Sequence, residues 1–299
     1  EGTFMPGKGR DNMIKKCSVN DIKQIVDMVY RKNNEPEHNS AFCYRQYDAI
    51  QRDFMNCLTS DNNVVVGYYK DDALIGVISF YVDEEKRTAD CGGPFVEGDF
   101  CKIAKEMLDY AKTLYKKQLC FNFFFDKRNI ECMSLMNLIC AENKGNESVL
   151  ALNRNDYIKQ EFAAPVEKLL PEYTAQLIEL HDSIFPGVYV SGKDIIQFIG
   201  INREVFCIID NGCLIGYSVL KTPPYGGITA TAEMIAVDEK YRGKGYGRTL
   251  LNAVVKEAFS HSGIDIVDLV VENANQNAIE LYSSFGFKLQ VENCSYQLK

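Results

Sequence analysis

A glycine-rich turn between an apolar segment and an amphipathic segment constrains this chain more than any other feature. Residues 234–237 are short, apolar and partly β-branched, which predicts a buried strand. Apolar side chains then recur at helical spacing over residues 250–259, which predicts an amphipathic helix. Gly243, Gly245 and Gly247 lie between the two, so the local order is strand, glycine turn, helix.

A turn of this kind is suited to binding an anion. Glycine adopts backbone angles closed to other residues and lets a ligand approach the main chain. The first N–H groups of a helix have no partner within the helix and lie at the positive end of its dipole, so they bind phosphate oxygens. Arg242, Lys244 and Arg248 add positive charge beside the turn. The sequence therefore predicts a polyphosphate-binding turn.

Three kinds of phosphate-binding loop compete for this pattern. A Walker A loop requires G-x-x-x-x-G-K-[ST], and the chain contains no such string. A dinucleotide-binding Rossmann turn requires G-x-G-x-x-G directly after its strand, whereas these glycines are spaced G-x-G-x-G behind the polar residues 238–242. Because Glu272 closes the next apolar strand and imitates the ribose-binding acid of that class, an NAD-dependent oxidoreductase stays open as an alternative.

The third pattern, [QR]-x-x-G-x-[GA] after a valine-rich strand, is matched by Arg242, Gly245 and Gly247. It resembles the acyl-CoA loop of the GNAT superfamily of N-acetyltransferases. The second signature of that family is an asparagine-containing turn followed by A-x-x-L-Y-x-x-x-G-F, which residues 277–287 match throughout. The resemblance covers residues 162–299 and implies a mixed, mostly antiparallel central sheet flanked by helices.

The resemblance also implies the roles of individual residues. Glu233 is the candidate general base, because an alkylamine with a pKa of about 10 must lose a proton before it attacks a thioester; a solvated carboxylate at the strand edge is the alternative. Tyr282 is similar to the family's acid, which protonates the leaving thiolate, although helical spacing alone would place it in the core. Asn273 and Asn277 either contact the cofactor or cap the last helix. The residues expected to hold acetyl-CoA through strand and turn are Ile235, Ala236, Val237, Arg242, Gly243, Lys244, Gly245, Tyr246, Gly247 and Arg248.

Local patterns predict the remaining elements of this half. A helix is expected over residues 172–185, and Ser191 with Asp194 predicts a capping box that opens a second helix. The turn Asp210-Asn211-Gly212 predicts a hairpin. A further strand over residues 264–271 and a helix over 275–285 follow, and residues 287–291 with 295–298 are expected to form a closing antiparallel pair.

The first half of the chain repeats this order more weakly. Residues 71–76 and 211–216 carry the same hairpin pattern 140 positions apart, which indicates an internal duplication. In the first copy neither an arginine nor G-x-G precedes the helix at 100–115, and Glu131 and Met136 align with Asn277 and Tyr282. The prediction is therefore an α/β (α+β) chain of two tandem GNAT-like domains. Residues 13–155 are a degenerate copy without the CoA motif, residues 162–299 are the acetyltransferase copy, and residues 1–12 are a leader or disordered arm.

Composition narrows the remaining possibilities. With 46% hydrophobic and 25% charged residues, each half can bury a core of its own. No apolar stretch reaches the ~18 residues that span a bilayer, and the N-terminus lacks the form of a signal peptide. A formal charge of −8 disfavours a nucleic-acid partner. The eleven cysteines are odd in number and form no C-x-x-C pair, and the three histidines are far apart, so reduced thiols in the cytoplasm and no bound metal are expected.

Together these observations predict an acetyl-CoA-dependent N-acetyltransferase that moves an acetyl group to a primary amine by direct transfer. The alternative is a non-catalytic acyl-CoA-binding sensor or interaction module. In the family the acceptor enters beside the first two helices and the closing strands, which here means residues 185–190 and Tyr296. A small amine or amino-acid derivative is the expected acceptor, and the sequence does not indicate an oligomeric state.

Overall fold

Two units make up the chain in the computed structural model, which describes residues 12–159, 164–188, 190–223 and 227–299. Unit 1 extends to Glu147 and also contains Glu292–Lys299, and unit 2 is Ser148–Val291. Asn12, predicted as the last residue of the leader, is the first residue of a strand, and the rest of the leader and residues 162–163 lie outside the described residues.

The two copies have the same order of elements. The first contains β1 (Asn12–Lys16), α1 (Ile22–Asn33), α2 (Tyr47–Thr59), β2 (Val64–Lys70), β3 (Ala73–Asp83), β4 (Thr88–Val96), α3 (Phe100–Leu114), β5 (Cys120–Asp126), α4 (Ile130–Leu138) and β6 (Glu142–Asn153). The second contains β7 (Glu167–Lys168), α5 (Thr174–Ile184), α6 (Gly192–Gln197), β8 (Arg203–Asp210), β9 (Cys213–Lys221), β10 (Thr229–Val237), α7 (Tyr246–Ser260), β11 (Ile266–Glu272), α8 (Gln276–Phe285) and β12 (Lys288–Leu298). The order β-α-α-β-β-β-α-β-α-β therefore occurs twice, and the predicted duplication is confirmed at this level.

Each unit contains a mixed, mostly antiparallel sheet flanked by helices, which confirms the predicted fold class. In unit 1 the described strands follow the order β1-β2-β3-β4-β5-β12, and among these pairs only β4 and β5 are parallel. In unit 2, β7-β8-β9-β10-β11 follow in chain order, with antiparallel pairs from β7 to β10 and a parallel pair between β10 and β11, and β6 lies beyond β11. Helices α7 and α8 cover one face of the unit 2 sheet, and α5 and α6 cover part of the other.

The parallel pairing in unit 2 is short. It joins residues 229–231 of β10 to residues 266–268 of β11, although both strands continue beyond these positions and are described in full. On its other side β10 pairs with β9, and the register shifts between Ala232 and Met234, so Glu233 forms a β-bulge. We call the space between residues 232–237 and residues 269–272 the unit 2 fork.

The closing hairpin predicted for residues 287–298 is wrong. These residues form the single strand β12, and residues 293–298 pair antiparallel with β5 in unit 1. The segment Glu292-Asn293-Cys294 contains no glycine or proline for a tight turn. Alternation along the strand instead buries Cys294, Tyr296 and Leu298 in the apolar core of unit 1.

Two leucines on β12 provide a matched test of this placement. Leu298 is 7% exposed in the unit 1 core, whereas Leu289 is 56% exposed. We expect Leu298→Ala to lower the free energy of unfolding by about 2 kcal/mol through lost burial and a cavity, and Leu289→Ala to change it by less than about 0.5 kcal/mol. Urea unfolding followed by circular dichroism measures both, and equal losses would contradict the single buried strand.

Candidate functional site

The turn before α7 requires glycine at two positions. Gly243 has φ +78° and Gly245 has φ +81°, both in the left-handed region that strains other residues. A Cβ at Gly243 would meet no atom within 4 Å, so backbone angle rather than space selects glycine there. Gly247 is already helical, and a Cβ there would lie 3.5 Å from Leu281 Cδ2, an ordinary contact. The predicted strand, turn and helix are confirmed as β10, residues 238–245 and α7.

The N-terminus of α7 begins without a side-chain cap. Gly245 occupies the N-cap position and offers no side chain. The hydrogen bond from Thr249 N to Gly245 O, 3.0 Å, closes the first turn of the helix. The amides of Tyr246 and Gly247 precede that bond at the positive end of a 15-residue helix. This arrangement can bind the oxygens of a phosphate or diphosphate.

The three basic side chains near the turn have different surroundings. Lys244 is exposed, with its ammonium group 5.2 Å from the ring centroid of Tyr241. Arg242 is exposed and its Nε donates to the carbonyl of Val237 at 3.2 Å, so it braces the turn. Arg248 donates to the hydroxyl and the carbonyl of Ser284, at 2.9 and 3.2 Å, which ties α7 to α8. Their predicted contact with phosphate stays a prediction.

Beyond the bulge, Ile235, Ala236 and Val237 pair with β9 on one side, and no described strand pairs with them on the other. Their other edge borders the unit 2 fork, where β11 no longer pairs with β10. A strand edge of this kind presents N–H and C=O groups to an extended ligand. The predicted backbone contacts therefore lie along one continuous path from the fork to the glycine turn.

Glu233, the predicted base, is held in a buried ion pair. Its carboxylate accepts from Arg203 Nε at 2.5 Å and Arg203 Nη2 at 2.8 Å, and Lys221 Nζ lies 3.5 Å away. The Glu233 side chain is 1% exposed and that of Arg203 is 8% exposed. Removing one partner of such a pair leaves an uncompensated charge at a cost of about 3 to 5 kcal/mol. The geometry favours a stabilising role, and the base role stays a prediction.

A second acid, Asp268 on β11, was missed by the sequence reasoning. Its Oδ1 accepts a hydrogen bond of 2.7 Å from the hydroxyl of Thr231, directly opposite in the last parallel pair. Burial raises the pKa of the Asp268 carboxyl, while the Thr231 bond and the charge of Lys221 lower it. The available signal was an acid within an otherwise apolar strand, Ile266-Val267-Asp268-Leu269.

Tyr282, the predicted acid, lies on α8 and is half-buried. Its ring packs 6.1 Å from that of Phe287, and burial raises the pKa of its hydroxyl to about 12. The phenol therefore keeps its proton near neutral pH. Tyr282 can pack beside the core and still donate a proton, and its role as the acid stays a prediction.

The two asparagines predicted for cofactor contact or capping do not cap α8. Asn275 is the N-cap, and its side chain accepts from the amide of Ala278. The Oδ1 atom of Asn273 accepts from the hydroxyl of Ser148 at 2.7 Å, and Asn277 is exposed in the first turn of α8. The capping alternative is therefore wrong for both, and their cofactor contacts stay predictions.

The corresponding opening in unit 1 is filled by the chain itself. There β4 and β5 also pair over three positions, residues 88–90 with 120–122. Beyond them, Ser40 forms an antiparallel bridge to Phe125, and Ala41 N donates to Phe124 O at 2.8 Å. The hydroxyl of Ser40 accepts from the amide of Gly93 on β4 at 3.1 Å. The 39–43 loop thus lies between the two strands.

Buried asparagines hold the 39–43 loop in place. Asn33 accepts from the amide of Ser40 at 2.7 Å and donates to the carbonyl of Cys43 at 2.9 Å. Asn39 donates to Asn33, and Asn129 donates to the carbonyl of Asn39. Buried polar groups satisfied in this way define one loop conformation.

Two further features separate unit 1 from unit 2. Helix α3 is capped by Asp99, whose carboxylate accepts from Lys102 N at 3.2 Å and places negative charge where α7 has bare amides. The caps Asn129 and Asn275 align α4 with α8, which sets Met136, 0% exposed, at the position of Tyr282. These features support the prediction that the first copy lacks the CoA site.

The predicted acceptor region is only partly described. Residue Tyr189 lies outside the described residues, and Tyr296 is buried in unit 1, where it stacks on Phe125 at 5.7 Å. The α5–α6 loop is anchored by His181, whose Nε2 donates to the carbonyl of Val190 at 2.8 Å while its Nδ1 accepts from the Tyr217 hydroxyl at 2.5 Å. A buried histidine of α5 therefore holds Val190 in place.

Among the described residues, two glutamates and a histidine from β8 and the end of α7 lie close together. Donor atoms of Glu204, Glu257 and His261 approach within 4.8 Å of one another. Lys168 Nζ already lies 2.5 Å from Glu204 and 3.5 Å from Glu257, so an ammonium group balances the carboxylates.

Within the described ranges, no helix has the length and apolar character required to cross a bilayer.

Comparison with known proteins places the turn and α8 inside a family match. Residues 174–287 match the model of the Acetyltransferase (GNAT) family. The chain is 30% identical over 86 residues to the mycothiol acetyltransferase of Propionibacterium freudenreichii, which covers 28% of this chain and 27% of that protein. It is 31% identical over 129 residues to the L-ornithine N5-acetyltransferase of Arabidopsis thaliana, which covers 38% of this chain and 56% of that protein. The matches thus span about a quarter and about half of these relatives.

Solved structures resemble nearly the whole chain. A tandem GNAT protein from the clavulanic acid biosynthesis pathway superposes with a TM-score of 0.70 at 13% identity, over 96% of this chain and 98% of that one. A GCN5-related N-acetyltransferase from Sphaerobacter thermophilus gives a TM-score of 0.72 at 13% identity, over 96% and 95%. At these identities the likeness shows the fold alone, and it is the predicted tandem fold.

The Arg203–Glu233 pair can be tested through stability. We expect Glu233→Gln to lower the free energy of unfolding by about 3 kcal/mol, because the guanidinium group is left buried without its anion. The exposed Glu239→Gln is the control and should change it by less than about 0.5 kcal/mol. The double variant Arg203→Met/Glu233→Leu should recover most of the loss. A Glu233→Gln protein as stable as the parent in urea would argue against the stabilising role.

Proposed function

We propose that this chain, in which residues 174–287 form a domain of the acetyltransferase (GNAT) family, transfers an acetyl group from acetyl-CoA to a primary amine on a small molecule. The observation that carries the proposal is the continuity of three features in unit 2. An open fork between parallel strands, an unpaired edge along Ile235, Ala236 and Val237, and a left-handed glycine turn at a helix N-terminus follow one another. Together they suit a long ligand with a diphosphate at one end.

The protein's own groups would act at three points. The amides of Tyr246 and Gly247, with Lys244 beside them, bind the diphosphate of the cofactor. The free edge of residues 235–237 orients the chain between diphosphate and thioester, and its amides polarise the thioester carbonyl. Tyr282, which retains its proton near neutral pH, donates that proton to the departing sulfur. Bound acetyl-CoA supplies an acyl carbon activated for attack by an amine.

Several observations support a small acceptor in a reducing compartment. The two relatives are named for acetylation of mycothiol and of ornithine, both small molecules. His181 holds Val190, which packs in the same core cluster as Met234 and Ala236 of β10, and a fixed segment beside that strand suits a compact acceptor better than a protein tail. All eleven cysteines are free thiols, as expected in the cytoplasm.

One observation favours a second candidate, an acyl-CoA-binding sensor without turnover. Glu233, the acid that the family resemblance puts forward as base, is occupied by Arg203 and Lys221. A protein that binds the cofactor but lacks an available base would retain affinity and lose catalysis. Turnover therefore separates the two functions.

The deciding experiment measures thiol release from acetyl-CoA in the presence of a panel of free amines, among them diamines, amino acids and amino sugars. We expect amine-dependent release with at least one of them, and the acetylated product by mass spectrometry. Binding of acetyl-CoA without release for every amine would favour the sensor. Retention of NAD without acetyl-CoA binding would reject both candidates.

The glycine turn has a matched control elsewhere in unit 2. Gly212 has φ +77° in the hairpin turn, close to the φ of +81° at Gly245, and neither α7 nor the fork contains it. We expect Gly245→Asp to weaken acetyl-CoA binding by at least 10-fold, because a carboxylate faces the diphosphate, while Gly212→Asp has the same strain and leaves affinity unchanged. Gly245→Ala separates strain from charge.

Isothermal titration calorimetry measures these affinities. It should also give one site per parent chain, because the opening in unit 1 holds the 39–43 loop. Equal affinities for Gly245→Asp and the parent, or two sites per chain, would contradict this assignment.

A further inference from the structure

The fork of unit 2 begins at a cross-strand pair of polar side chains. Thr231 on β10 and Asp268 on β11 are opposite each other in the last parallel pair, and the strands separate immediately beyond them. Asp268 therefore lies at the closed end of the fork. The bulge at Glu233, two positions further along β10, is where the free edge of that strand starts.

We propose that Asp268 is the group that takes the proton from the ammonium form of the acceptor. This inference rests on the proposed acetyltransferase function and deepens it by naming the residue that activates the amine. A cofactor whose diphosphate lies at the start of α7 and whose chain runs back along residues 237–235 would bring its acyl carbon toward the closed end of the fork. A base at that end is within reach of an amine that approaches the same carbon.

The surface next to Asp268 is open to an acceptor. Side chains alternate along β11, so Asp268, Val270 and Glu272 share the face opposite to Val267, Leu269 and Val271, which pack in the core beneath α7 and α8. Val270 is 49% exposed although β11 is an inner strand, and Glu272 is exposed as well. The helices α5 and α6 therefore leave this part of the face uncovered.

The charged neighbours of Asp268 distinguish it from Glu233. On the same face, Glu233 is bound by both guanidinium nitrogens of Arg203 and lies 3.5 Å from Lys221. Asp268 accepts from the neutral hydroxyl of Thr231 and from its own backbone amide, and the charge of Lys221 acts on it at longer range. Burial raises the pKa of the Asp268 carboxyl, and a higher pKa makes a carboxylate a stronger base. The two acids on this face therefore differ in role: Glu233 forms the ion pair, and Asp268 accepts the proton.

The proton balance of the transfer is complete with these groups. The ammonium nitrogen gives one proton to the Asp268 carboxylate, which later passes it to water. The neutral amine then forms the C–N bond to the acyl carbon, and the C–S bond breaks. Tyr282 protonates the departing sulfur. The nitrogen releases its second proton to water, and water returns a proton to the phenol, so the products are an amide and a thiol.

The test compares Asp268→Asn with Asp265→Asn, an exposed aspartate just before β11. With the best alkylamine from the screen, we expect Asp268→Asn to lower kcat at least 100-fold, as the loss of a general base does, with acetyl-CoA affinity unchanged. Asp265→Asn should match the parent. With a weakly basic amine that is neutral at pH 7, the loss for Asp268→Asn should shrink to less than 10-fold, because no proton need be removed before attack.

A second variant keeps the inference testable if Asp268→Asn does not fold. Thr231→Val has nearly the same shape and removes the donor to Asp268 Oδ1. Loss of a bond to the carboxylate raises its pKa, so the acid limb of the kcat/KM profile should move to higher pH. The other groups on that face, Lys221, Glu233 and Arg203, are unchanged in this variant.

The outcomes are distinguishable. A parent enzyme active with an alkylamine, together with an Asp268→Asn variant within 3-fold of it or equally impaired with both kinds of amine, would overturn the role of Asp268 and leave the acetyltransferase function standing. An unmoved acid limb in Thr231→Val would do the same. A parent chain that releases no thiol with any amine would overturn the function and this inference together.

Discussion

The architecture of unit 2 depends on where β10 stops pairing with β11. Three parallel pairs hold the strands together, and the bulge at Glu233 follows at once. An inner strand edge released in this way leaves N–H and C=O groups that need partners. The strand β10 leads directly into the glycine turn. The N-terminus of α7, which has no side-chain cap, therefore follows the part of β10 that no longer pairs with β11. Polar backbone is thereby concentrated along one path in an otherwise apolar sheet.

Unit 1 contains the same break and satisfies it differently. Ser40 and Ala41 supply the missing partners for β4 and β5, and three buried asparagines fix the loop that carries them. Asp99 neutralises the start of α3, where α7 has only Gly245. Two local changes at separate points in the sequence thus close two parts of the path that unit 2 leaves open. The strand order is unaffected, because neither of them alters the core that the sheet buries.

Local chemistry could be predicted from the sequence, and pairing between distant segments could not. The turn at Asn211-Gly212, the capping box of Ser191 and the glycines before α7 each follow from backbone preferences within a few residues. The strand β12 was misread because its partner is far away in the chain: Gln297 and Asn122, which are hydrogen-bonded side by side, are 175 positions apart. The 39–43 loop was missed for the same reason, since no local pattern indicates that Ser40 bridges Phe125.

The question of the base has the same physical origin. A family motif specifies positions along the strand that borders the cofactor, and so it points to Glu233; it carries no information on Arg203, which begins a different strand two places away in the sheet. Whether a carboxylate accepts a proton is decided by the charges that face it, not by its place in a motif. A guanidinium group that makes two bonds to Glu233 compensates its negative charge, whereas Asp268 accepts from the neutral hydroxyl of Thr231 and its burial raises the pKa of its carboxyl. The residue that can exchange a proton at the fork is therefore the one with the weaker partner.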